Sequence, residues 1–204
     1  MRLLPCGDRA ILVEVADAAE RRRLDATLRR RPLPGTLEHV PGARTVLVVA
    51  SAAHHLPEVA AALRGLVLDG PEASAETDEL VVEVRYDGPD LDDVATHLGV
   101  APSEVVARHT GQPWTVEFAG FAPGFAYLTG SEGDLEVPRR HSPRTRIPAG
   151  SVGLAGPYSG VYPRSSPGGW QLIGRTDVTL WDAERDPPAL LTPGRRVRFV
   201  EVPS

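Results

Sequence analysis

Six arginines, Arg139, Arg140, Arg144, Arg146, Arg164 and Arg175, lie between Glu136 and Asp177 with His141 and without a single carboxylate. A guanidinium is a planar fork that matches carboxylate or phosphate oxygens two at a time. In a chain of formal net charge −5, this gathering of cations reads as an anion site. Its ligand would be a substrate carboxylate, a phosphoryl group or acidic residues of a partner. The alternative is that these arginines pair with acids elsewhere, such as Asp90, Asp92 and Asp93. Three glycine-rich segments accompany them: GFAPG (120–124), PAGSVGLAG (148–156) and SSPGG (165–169). Loops of this kind can turn backbone N–H groups toward an anion. None is a GxGxxG at a strand–helix turn, so no dinucleotide fingerprint is present.

Other chemistry is thinly represented. The 204 residues include no lysine and no asparagine. A P-loop lysine, a Schiff-base lysine and a Ser-Lys dyad are therefore excluded on this chain. The candidate acid/base groups are His109, His141 and Glu117, whereas His39, His54, His55 and His97 read as surface or helix residues. No histidine pair has metal-ligand spacing, and no metal site is expected. Ser151, Ser165 and Ser166 lack a GxSxG elbow. Cys6 is the only cysteine; it cannot form an intrachain disulfide and is expected to be buried and unreactive. The negative charge argues against a nucleic-acid partner. No apolar run is long enough for a membrane span, and residues 1–8 do not read as a signal peptide, so a cytoplasmic location is expected.

The elements that must position these groups fall into two parts. Residues 11–15 alternate as a strand, and 18–30 form a helix with Leu24 and Leu28 on one face. Two short strands at 36–40 and 44–50 are joined by Pro41-Gly42, and 56–68 reads as a second helix. This is a small α/β domain, with helices on one face of an antiparallel sheet. The polar stretch 69–78 is the linker candidate. A strand at 81–86 follows, then helices near 91–98 and 103–110, with Asp90 and Pro102-Ser103 where caps belong. From Thr115 onward short apolar runs recur at 116–121, 152–155, 171–173, 178–181 and 197–202, punctuated by Gly and Pro, the pattern of a β-barrel or sandwich with shaped loops. The stretch 120–174 holds eleven Gly and seven Pro. It also carries Phe121, Phe125, Tyr127, Tyr158, Tyr162 and Trp170, an aromatic content that disordered segments lack.

The segments VEFAGFAPGFAYL (116–128), VPRRHSPRTRIPAGSVGLAG (137–156) and GVYPRSSPGGWQLIGRT (160–176) resemble the signature blocks of the 5-oxoprolinase B-subunit family, also called KipI-type or allophanate hydrolase subunit 1. GDRAILVE (7–14), GTLEHVP (35–41) and His109-Thr110 fit the same family. Three long blocks in order, over nearly the whole chain, make the resemblance specific. It implies an α+β protein: a small α/β N-terminal domain over 1–72, then a cyclophilin-like β-barrel domain over 78–204. It implies partners too, a homologous KipA-type C-subunit and an A-subunit of lactam-utilisation type. It further implies a hydrolase that opens the small-molecule lactam 5-oxo-L-proline to L-glutamate with ATP and is inactive as a lone chain. Related domains form the carboxyltransferase part of urea carboxylases, and other members inhibit a histidine kinase. The alternatives are thus a kinase inhibitor, or a component of a urea/amide carboxylase–allophanate hydrolase system.

On this resemblance the groups expected to meet substrate anions or an interface are Arg139, Arg140, Arg144, Arg146 and Ser151. Gly120, Phe121, Pro123, Gly124, Gly150 and Trp170 are expected to wall the pocket. Arg144→Ala is expected to weaken the activity of the assembled complex while leaving folding intact. One block departs from the family: residues 155–160 read AGPYSG, where members more often carry Gln-Thr before the last Gly, so Pro157, Tyr158 and Ser159 replace an amide-bearing turn.

Overall fold

The computed structural model describes residues 1–68 and 79–203, and the chain divides into two compact units, Met1–Ser74 and Ala75–Ser204. The linker candidate at 69–78 lies outside the described residues. In the first unit, strands β1 (Arg2–Cys6), β2 (Ala10–Glu14), β3 (Thr36–Pro41) and β4 (Thr45–Ala50) form an antiparallel sheet in the order β1-β2-β4-β3. Helices α1 (Ala18–Arg30) and α2 (Leu56–Arg64) bury Leu24, Leu28, Val59 and Leu63 against Ile11, Val13, Val46 and Val48. Asp17 caps α1 by accepting from the Glu20 N–H at 2.7 Å. β1 has no counterpart in the sequence reading; its Leu and Pro residues carry no clean alternation, and it exists as the hairpin partner of β2. α2 is shorter than the pattern suggests. It ends at Gly65, and Leu66 and Leu68 pack on the core from outside the helix. Cys6, expected to be buried, is exposed on the edge strand β1.

The second unit is a nearly closed barrel, in keeping with the α+β class expected of the chain. Its seven-stranded sheet comprises β5 (Leu80–Val84), β6 (Trp114–Ala119), β7 (Ala126–Gly130), β9 (Ser151–Ala155), β10 (Tyr158–Val161), β12 (Gln171–Arg175) and β13 (Arg196–Glu201), ordered β12-β9-β10-β7-β6-β13-β5. β8 (Arg144–Ile147) and β11 (Ser166–Gly168) form a separate two-stranded antiparallel sheet. Helices α3 (Leu91–Leu98) and α4 (Pro102–Gly111) pack on β12 and β13. The run at 178–181 is not a strand; only Trp181 makes a bridge, to Ala189.

Closure happens where β5 runs on past Val84. Arg85 and Arg175 exchange two backbone hydrogen bonds of 2.9 Å, and the Gly88 and Asp90 N–H groups donate to Ile173 and Leu172 carbonyls at 3.3 and 3.0 Å. This approach needs glycine on both sides: a Cβ on Gly174 would lie 2.5 Å from the Arg85 carbonyl oxygen, and one on Gly88 2.3 Å from the Ile173 carbonyl carbon. Backbone cannot yield as a side-chain tip can. Gly174→Ala is therefore expected to destabilise the second unit by about 1–3 kcal/mol through forced seam opening, read as a lower urea midpoint with faster amide exchange at Arg85 and Arg175.

Candidate functional site

The loop joining β6 to β7 is built around an unusual turn. The Ala122 N–H donates to the Gly120 carbonyl at 2.8 Å, two residues back, and Phe121 between them has φ +69°. Phe121 is the one non-glycine residue with positive φ among the described residues. A γ-turn of this hand is rare, and holding a side chain there costs about 1–3 kcal/mol. The Gly120 and Phe125 N–H groups lock the loop by donating to the Phe125 and Ala122 carbonyls. Gly124, at φ +82°, lies under Trp181, whose Cβ would be 2.9 Å from a Cβ added there.

The turn displays the Phe121 ring, 57% exposed, over a buried aromatic floor. Its centroid is 5.2 Å from Phe125 and 6.0 Å from Tyr162, both edge-on, and Phe125 meets Trp170 edge-on at 5.3 Å. Tyr162 and Trp170 are buried, so Trp170 is floor rather than accessible wall. Burial pushes the Tyr162 phenol up to about 12. Gly168 is small for this floor, since its Cβ would fall 2.4 Å from the Tyr162 hydroxyl. Pro123 is exposed beside Phe121, Ser151 is buried at the start of β9, and Gly150 (φ +79°) abuts the Thr176 carbonyl.

The arginines separate into two groups. Arg140 and Arg144 converge on Asp90, which is 1% exposed: Arg144 donates to both its oxygens at 2.7 and 2.8 Å, Arg140 to one, and the Leu172 N–H to the other at 2.7 Å. Burial pushes the Asp90 carboxyl up. The hydrogen bonds from Arg144 and Leu172 and the charges of Arg144 and Arg140 outweigh it and hold the group below the usual carboxylate range. Asp90 precedes α3 but makes no side-chain cap there; its oxygens are spent on the guanidinium groups and the barrel seam. For these two arginines the pairing alternative holds: both are engaged by Asp90. Arg175 likewise pairs with Asp87 at 2.7 Å. Arg139, Arg146 and Arg164 are exposed, and none forms an ion pair among the described residues. Arg146 Nε donates to Ser165 Oγ at 3.2 Å, and the Arg139 charge acts on the Tyr162 phenol. The arginines left for an anion are thus Arg139, Arg146 and Arg164.

His109 and Glu117 are withdrawn from solvent. His109 is fully buried, with Nδ1 2.7 Å from the Tyr86 hydroxyl and Nε2 2.8 Å from Ser159 Oγ, and its ring packs on Phe199 and Trp114. Burial lowers its pKa to about 3 and raises that of the Tyr86 phenol. Ser159 belongs to the departing AGPYSG block, where it supplies the second partner of this imidazole. Glu117 accepts from the Thr129 hydroxyl at 2.7 Å. His141 is exposed. Among the described residues no cluster of His, Cys, Asp or Glu could hold a metal ion, and no helix is long and apolar enough to cross a membrane. Sequence reasoning named Asp90 only as a cap or a possible arginine partner, and it assigned no role to Ser159 or Trp181. The binding partners of Asp90 and Ser159 include groups 82 and 50 residues away in the chain, so no local signal marks them.

Residues 1–191 match the family model of the carboxyltransferase domain, subdomain C and D. The chain is 39% identical to the 5-oxoprolinase B-subunit of Escherichia coli O157:H7, over 95% of this chain and 93% of that protein. It is 38% identical to the 5-oxoprolinase B-subunit of Bacillus subtilis, over 87% and 80%. The crystal structure of TTHA0988 superposes with a TM-score of 0.77 at 36% identity, covering 96% of this chain but only 40% of that longer one. The Kluyveromyces lactis urea amidolyase, at 22% identity, shares the fold with a TM-score of 0.81 over 98% of this chain and 15% of its own. With the barrel and the GFAPG turn in place, these matches make the chain a member of the carboxyltransferase-domain family, subdomain C and D, alongside the 5-oxoprolinase B-subunit proteins.

Proposed function

We propose that this chain is the B-subunit of an ATP-dependent 5-oxoprolinase, converting 5-oxo-L-proline to L-glutamate with a homologous C-subunit and an A-subunit. The observation that carries the reading is the 39% identity to a 5-oxoprolinase B-subunit over 95% of the chain. The chemistry suits the exposed cations. The substrate carries a carboxylate, and phosphoryl activation of its lactam adds anionic oxygens that guanidinium groups orient and neutralise. Arg139 and Arg146, with Arg164, are the ligand or interface groups; Arg140 and Arg144 act through Asp90 by shaping the loop. ATP is used by the complex, and with no lysine this chain offers no P-loop for it. The reading places the protein in the cytoplasm, where ATP is supplied, and makes the lone chain inactive.

The test is a coupled assay with this chain, the C-subunit, the A-subunit, 5-oxoproline and ATP, scored for glutamate. Glutamate that requires all three proteins is the expected result. Its absence from an assembled complex sinks the reading. In the active complex, Arg146→Ala is expected to lower kcat/KM by at least about tenfold, the loss of one charged hydrogen bond to a reacting anion, with an unchanged melting temperature. A short match to urea amidolyase of Saccharomyces cerevisiae, 41% identical over 64 residues, favours a carboxylase system as the second reading; bicarbonate-dependent turnover of urea would select it.

A further inference from the structure

We propose that the first unit carries a binding site for an apolar α-amino acid, held as its zwitterion by Arg29, Glu38 and His39. Between the end of helix α1 and the edge strand β3 lies a cavity of about 460 Å³, with Leu28, Leu33, Leu37 and Val48 among its walls. That volume is in the range of small-molecule pockets. β3 breaks register between Thr36 and Glu38, and Leu37, at the break, is 64% exposed. Irregularities of this kind re-aim side chains beside binding sites.

Arg29, Glu38 and His39 line the same cavity. Asp25, 8% exposed, fixes two of them, accepting from Arg29 Nε at 3.1 Å and from His39 Nε2 at 2.9 Å. Burial raises the Asp25 carboxyl, but the bonds from His39 and Arg29 outweigh it and hold the group below its ordinary value. An ionised carboxylate only accepts, so the shared proton belongs to Nε2, and Nδ1 of the neutral ring is an acceptor. The terminal nitrogens of Arg29, Nδ1 of His39 and the Glu38 carboxylate have no partner among the described residues. The set offers a fork for a carboxylate, an acceptor and an anion for an ammonium, and an apolar wall for a side chain. A simple anion would meet Glu38 unmatched, and a simple cation Arg29; a zwitterion satisfies both. A brace between helix and strand would be complete with the Asp25–His39 bond, and would need neither the cavity nor an unpaired fork beside it. None of these groups takes part in the chemistry proposed above, so the inference stands apart from it.

The experiment is calorimetric titration of the full chain, without other subunits, with L-leucine, L-methionine and L-phenylalanine. Saturable binding of at least one is expected. Isocaproate, which is leucine without its ammonium, and isopentylamine, which lacks the carboxylate, are expected to bind at least about tenfold more weakly than leucine, the loss of a charged hydrogen bond. Arg29→Gln is expected to weaken amino-acid binding by a similar factor. Glu38→Gln gives a second reading should loss of the Asp25 contact unfold the first variant; Glu38 is exposed and unpaired, so this variant is expected to melt with wild type and still bind at least about tenfold more weakly. No binding of any of the three amino acids overturns the inference. So does binding that stays within about twofold in Glu38→Gln, or isocaproate that binds as well as leucine. Because glutamate production is not read, each of these outcomes leaves the proposed function standing.

Discussion

Asp90→Ala is expected to lower folding stability by about 3–5 kcal/mol, the range for removing one member of a buried charge cluster. Asp90 joins three things distant in sequence: the start of α3, the arginines before and in β8, and the Leu172 N–H on β12. Without it, two guanidinium groups face each other with no anion between them, and a buried N–H at the barrel seam loses its acceptor. Asp90→Asn keeps an acceptor oxygen but not the charge, and is expected to fall between alanine and wild type. Urea unfolding reads both; a loss below about 1 kcal/mol for the alanine variant would mean that the cluster does not hold the seam. Arg144→Ala, which the sequence expects to leave folding intact, is expected to lose part of the same stability, because its fork supplies two of the bonds to Asp90.

Acidification from pH 6.5 to 5 is expected to cost about 2 kcal/mol of stability through His109 alone, at about 1.4 kcal/mol per pH unit. Its pKa falls from 6.5 to about 3 on burial. The folded state therefore binds fewer protons than the unfolded chain between these values, and stability drops as pH falls through that window. Both ring nitrogens already have partners, Tyr86 and Ser159, inside an apolar shell of Trp114 and Phe199. Carboxylates with lowered pKa values, such as Asp90, titrate further down, and the other five histidines are common to wild type and the variant below, so the difference between the two is the share of His109. His109→Gln, which retains hydrogen-bonding groups but cannot titrate, is expected to flatten the pH dependence of the urea midpoint. Equal slopes for the variant and wild type would refute the assignment.

Much of the frame was legible along the chain. Helix α1 and the β3–β4 hairpin follow from local period and turn chemistry, because neighbours in sequence supply the partners. The aromatic content of 120–174 marked that segment as ordered, and its missing carboxylates marked it as cationic. Three long blocks in order pointed to the family that the comparisons show. β8, β10 and β11 were not legible: they span only three or four residues each, too short for a period, and exist through pairing.

Read residue by residue, the chain supplies a stock of groups: arginine without lysine, a lone cysteine, dense Gly/Pro loops beside aromatics, and the order of elements. What each group is free to do emerges in the folded barrel. Charge counting could not say which arginines are spent, because Asp90 reaches Arg140 and Arg144 across 50 and 54 residues. Nor could it say that His109 is locked in the core or that Phe121 stands out in water. Ion pairing, burial and backbone strain depend on distances that close only when the barrel does.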